Sequence, residues 1–124
     1  LDDSGNLSGV VRVTHTGGLV SGIDGSLTVL SSGNNNNVSL GEVTTMLFDC
    51  TAGACILTGL TGGVSGRVVR LVNTASSGTF TLSGEDTNST AANRFAVASG
   101  SVAAGTYIDV VYVGGSISRW YRHA

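Results

Sequence analysis

The sequence predicts an all-β fold, an antiparallel β-sandwich of jelly-roll type, and three observations carry the prediction. Glycine is abundant at 19 of 124 residues, proline and lysine are absent, and Thr, Ser and Val dominate the remainder. Short and β-branched residues suit strands joined by tight turns, while the strong helix formers Glu, Gln and Met are scarce. From Thr44 onward, runs that alternate apolar and polar residues recur at the spacing of about 8–12 residues expected of a sandwich or barrel.

Taken in order, Val10–Thr16 alternates as a strand, Gly17-Gly18 breaks it, and Ser26–Leu30 reads as the next. Ser31-Ser32-Gly33 and the tract Asn34 to Asn37 read as a turn or exposed loop, because Asn and Gly accept positive φ and offer no apolar surface. Strands are then expected at Thr44–Asp49, Cys55–Leu60, Arg67–Asn73, Thr79–Ser83, Phe95–Ala98, Tyr107–Val113 and Ser118–Arg122. We divide the chain into residues 1–42, a collar of connecting strands, and residues 43–124, the sandwich. The competing reading makes the first strands part of the same sandwich, since no repeat of fixed period marks a fibrous shaft. In TYIDVVYV, Ile108, Val110 and Tyr112 share one face, and Tyr107, Asp109, Val111 and Val113 the other. Apolar side chains on both faces suit a strand covered by a second sheet on one side and by a neighbouring subunit on the other, so an oligomer is expected.

At this length the chain can bury about two-thirds of its unfolded surface as one domain. All positive charge is arginine, and Lys+Arg total 6 against 8 for Asp+Glu. No basic stripe follows, so no nucleic-acid partner is expected. No apolar run approaches the roughly 20 residues of a membrane span, so no membrane insertion is expected either. The first residue is Leu1 instead of Met, which reads as a processed product or a piece of a longer polypeptide.

Cys50 and Cys55 enclose only Thr51-Ala52-Gly53-Ala54 between two β-like runs. A hairpin there would bring the cysteines within disulfide range, and closing so short a loop contributes about 2 kcal/mol in the chain-entropy model. A zinc site needs a second ligand pair, which is missing. A disulfide fits an oxidising, extracellular setting.

Within Ser89-Thr90-Ala91-Ala92-Asn93-Arg94, small residues allow close backbone approach, Asn93 can satisfy turn amides, and Arg94 can reach carbonyls or the carboxylates of Glu85 and Asp86. We read this segment as a strap that fixes one end of the fold, in preference to a receptor contact. Trp120 is expected in the core, where its indole buries most area. Tyr121, flanked by Arg119 and Arg122, is the candidate exposed contact, with a subunit interface as the equal alternative.

Glu85-Asp86 with Asn88 has the oxygen density of a calcium loop but not its spacing. His15 and His123 are isolated in sequence, and Gly59–Arg67 lacks the GK[ST] ending of a phosphate loop. There is no GxSxG elbow, no lysine and no recurring pair of acids. We therefore expect no enzyme, no catalytic residue, no metal and no cofactor.

The words STAANR, the aromatic strand with Tyr112, and Ser118-Arg119-Trp120 together resemble a segment recurrent at the tips of tailed-phage fibres and related virion appendages. The resemblance covers roughly the C-terminal half. It implies a homotrimeric all-β protein at the virion surface, residues 43–124 being the tip. Its partners would be a cell-surface glycan or other receptor and the remaining virion proteins. The alternative it leaves open is a capsid-decorating or head-fibre protein without a specific ligand.

Overall fold

Alternation is strict in Thr45–Asp49, where Met46 and Phe48 are buried and their neighbours partly exposed, and it recurs in Thr79–Leu82. The computed structural model describes residues 27–96 and 100–122 and turns this pattern into an all-β fold of two mixed sheets. The strands are β1 (Thr28–Val29), β2 (Gly33–Asn35), β3 (Thr45–Asp49), β4 (Cys55–Leu57), β5 (Val68–Asn73), β6 (Thr79–Leu82), β7 (Gly100–Ala103), β8 (Tyr107–Val113) and β9 (Arg119–Arg122). A single 3-10 turn spans Ala91–Asn93. The expected strands at Val10–Thr16 and Ser26, and His15 and His123, lie outside the described residues.

One sheet has the order β1-β3-β5-β8-β9 and the other β2-β4-β6-β7. From β1 to β6 the chain therefore changes sheet after every strand. Each sheet grows by parallel addition: β1 to β3 to β5 on one side, β2 to β4 to β6 on the other. This is a solenoid of coils, each giving one strand to each sheet. A parallel pair needs a crossover of a dozen residues or more, and here the intervening strand of the opposite sheet supplies that length.

The antiparallel expectation holds only for the closing strands. There β7 pairs with β6, β8 with β5, and β9 with β8 in antiparallel register. Steps between coils are unequal, from Thr28 to Phe48 to Asn73 in one sheet and from Gly33 to Cys55 to Phe80 in the other. Unequal steps explain why no fixed period is visible in the sequence. Strands on either side of residue 42 share both sheets.

Rungs stack like on like. Cys55, Phe80 and Val102 lie side by side across the four-stranded sheet, as do Leu57 and Leu82. Met46, Leu71 and Ile108 do so across the five-stranded sheet. The two stacks meet in one core, where Phe48 and Phe80 pack edge to face at 5.5 Å. Fully burying side chains of this size stabilises by about 1.5–3 kcal/mol each.

Two short elements escaped the sequence reading. The Gly33–Asn35 strand has no apolar residue, and Gly100–Ala103 buries only Val102. Conversely, the run expected at Phe95–Ala98 gives isolated bridges at Arg94 and Phe95 within the described residues. Phe95 is buried through pairing with Gly84 and Trp120, not through an extended ladder.

Candidate functional site

The Cys50–Cys55 disulfide forms, with Cα atoms 6.0 Å apart and both residues buried. Its flanking runs are not a hairpin, however. β3 and β4 belong to opposite sheets, so the bridge closes a corner of the second coil. Asp49 shapes that corner by accepting bonds from the Thr51 amide, at 2.8 Å, and from the Thr51 hydroxyl.

The strap lies across one end of the coils. Leu60 N–H donates to the Asn93 carbonyl at 2.9 Å, Trp120 N–H to the Arg94 carbonyl at 3.0 Å, and Ala96 N–H to the Trp120 carbonyl at 2.8 Å. Trp120 is fully buried, as its size suggested, and its indole N–H donates to the Leu60 carbonyl at 2.9 Å. Tyr112 stands edge to face against it at 5.0 Å and donates its hydroxyl to the Ala92 carbonyl at 2.8 Å. The phenol ring lies over Gly63, where a Cβ would sit 2.3 Å from a ring carbon. Only glycine allows that approach.

Beneath the strap runs a polar chain that the sequence reading did not find. The Asn37 amide donates to Ser89 Oγ at 2.9 Å, Ser89 Oγ lies 2.7 Å from Thr58 Oγ1, and Thr58 Oγ1 lies 2.7 Å from Asn36 Oδ1. Asn37 Oδ1 accepts from the Thr90 amide at 2.8 Å and from Asn93 Nδ2 at 2.9 Å. Asn37 takes φ of 46°, which asparagine tolerates better than most residues. The Asn tract is thus a docking edge and not a free loop. Its tolerance of positive φ was the one legible signal.

The other residues singled out in the sequence are dispersed. Arg94 donates Nε to the Ser89 carbonyl at 2.9 Å, while Glu85 is held by Arg119 instead, at 2.6 and 3.0 Å. That bond draws the Glu85 carboxyl below its ordinary range. Asp86 is also drawn down, first by the Asn88 amide and then by the Ser83 hydroxyl. Arg119 and the 37 % exposed Tyr121 alternate with Trp120 and share the outer face of the five-stranded sheet. Arg122 lies on the other side of β9, its guanidinium near Gly100 at the edge of the second sheet. The three do not form one patch.

Around the strap, Thr87, Asn88 and Thr90 to Ala92 are exposed. They form a crest of small side chains, three of them polar, on a fixed base. Among the described residues no group of three or more His, Cys, Asp or Glu is placed to hold a metal ion, and no buried side-chain nitrogen or oxygen lacks a hydrogen-bond partner. No family model, no curated protein and no solved structure matches the chain.

Proposed function

We propose that the chain is a non-enzymatic domain of a virion appendage, displayed as a homotrimer at the virion surface, that binds a host cell-surface glycan or other receptor. The observation that carries this reading is the exposed crest of Thr87, Asn88 and Thr90 to Ala92, bolted to the core from beneath through Ser89. Small hydroxyl and amide side chains on a rigid base can hydrogen-bond a sugar with little ordering cost. Arg119, which holds Glu85 beside the crest, is the neighbouring contact we assign to the receptor. Binding at each site is shallow, and avidity over three chains supplies the strength.

A decorating role without a specific ligand is the second reading. It draws on the commitment of Asn93, Arg94 and Arg119 donors within the chain. Binding of the purified protein to host cells and to a glycan array separates the two. Retention that falls at least several-fold in Thr90→Ala, with the mass in solution unchanged, supports the receptor reading. Retention on virions stripped of appendages, with none on cells or glycans, supports the decorating one.

A further inference from the structure

We infer that the outer face of the five-stranded sheet is the surface on which copies of this chain associate, about an axis parallel to the strands. The inference deepens the oligomer proposed above and rests on it. Strand register arranges this face in level rows. Thr45, Arg70 and Asp109 form the central row. Leu47, Val72 and Tyr107 lie on one side of it, and Val68, Val111 and Tyr121 on the other. Val68 is 54 % exposed and Tyr107 58 %, and they stand on one contiguous face with Leu47, Val72 and Val111.

The second sheet shows no such face. Its outward row reads Asn34, Ile56, Thr81 and Ser101, with Thr81 and Ser101 hydroxyls 3.3 Å apart. Three of the four residues in that row are polar, and Ile56 is the exception.

The occupant follows from the charges in the central row. Arg70 Nε lies 2.8 Å from Asp109 Oδ1, and the guanidinium stacks 4.2 Å over the Tyr107 ring. A bidentate ion pair in the middle of an apolar face opposes burial in a lipid surface, because even paired charges lose their water at a cost that lipid does not offset. A second copy of the same face presents a complementary row of the same two charges. Rotation about an axis that runs along the strands keeps every residue at its own level, so apolar rows meet apolar rows. With the axis between β5 and β8, Arg70 of each copy meets Asp109 of the next. An axis across the strands would set Arg70 against Arg70, so the pair selects the direction of the axis. Two-fold and three-fold closure both satisfy the condition. Three strands about 4.8 Å apart in each row, and three rows two residues apart, give roughly 300 Å² per copy, against about 800 Å² for a standard stable interface. Association should therefore depend on concentration.

Light scattering on the intact chain over a concentration series tests this. The wild type should rise in mass with concentration. Arg70→Asp makes the central row wholly acidic and Asp109→Arg makes it wholly basic, so each alone should fall to the mass of one chain. An equimolar mixture of the two should regain mass as pairs, because opposite rows then meet, whereas a closed ring of three would set two like rows together. Val111→Arg should also abolish association. Should a charge variant lose the wild-type circular dichroism spectrum, Val68→Glu, at a half-exposed position, gives the same reading. A wild type that stays at one chain overturns the face and the oligomer together. Variants that keep the wild-type mass overturn the face and leave the oligomer standing. A mixture that fails to regain mass overturns the proposal too.

Discussion

In the coils, from Thr28 to Leu82, neighbouring strands are parallel and the interior is filled by like side chains stacked rung on rung. In the closing strands, from Gly100 to Arg122, pairing is antiparallel, and burial is joined to directed hydrogen bonds: Trp120 to Leu60, Tyr112 to Ala92, and Asn73 to Val102. Stacked apolar rungs tolerate exchange of one aliphatic side chain for another of similar volume. A directed bond to a buried carbonyl tolerates no change of donor. The coils supply bulk stability, and the closing strands fix which arrangement is reached.

Removing the indole tests this contrast most severely. Trp120→Ala should cost about 3–5 kcal/mol in urea unfolding, and Trp120→Phe should recover only part of it because the Leu60 carbonyl stays unpaired. A full recovery by phenylalanine would reduce the closing strands to plain packing. Asn73 is buried at the end of β5, where its amide donates to Gly78 and Val102 carbonyls at 3.2 and 3.0 Å and its Oδ1 accepts from Ala75 at 3.2 Å. Asn73→Ala should lower stability by about 2–3 kcal/mol, the cost of stranding those groups, whereas Leu57→Met within the coils should cost less than about 1.5 kcal/mol.

The coil corner offers a smaller effect. Replacing both Cys50 and Cys55 by alanine should cost about 2 kcal/mol. Because both sulfurs are buried, thiol labelling after mild reductant should show the wild-type bridge reduced only under denaturing conditions. The smallest effect is expected from acid. Glu85, held by Arg119, and Asp86, held by Asn88 and Ser83, both release protons more readily folded than unfolded. Their contribution is therefore present above the ordinary carboxylate range and lost as pH falls through it, below about 4. Melting temperatures followed down through that range should fall, and Glu85→Gln should flatten part of the slope. A variant that melts in parallel with the wild type would show that the exposed Glu85–Arg119 pair adds nothing measurable.

Strand positions were legible wherever alternation was strong, as in TYIDVVYV and around Phe48, because inside-outside periodicity is written directly in side-chain type. Pairing was not. A parallel solenoid and an antiparallel sandwich use the same short alternating runs and the same turn residues, and differ only in where each turn sends the chain. The Cys50–Cys55 corner shows this, since its spacing suits a hairpin as well as a step between sheets. Trp120 could be assigned to the core from its size alone. The docking edge at Asn37 could not, because four consecutive asparagines look like solvent-exposed polar chain until Ser89, Thr90 and Asn93 are brought against them from more than 50 residues away.

The bond from the Trp120 indole to Leu60 spans 60 residues of chain, whereas successive coils pair over much shorter separations. Contacts close in sequence form at small loop-closure cost, and distant ones must wait for the ends to be brought together. The coils can accordingly wind as the chain lengthens, with the latch closing last. Stopped-flow kinetics should then show Trp120→Phe speeding unfolding while leaving the refolding rate nearly unchanged. A chain that lacks β9 would hold wound coils with an open end, since Trp120 is the residue that ties that end to the Leu60 turn.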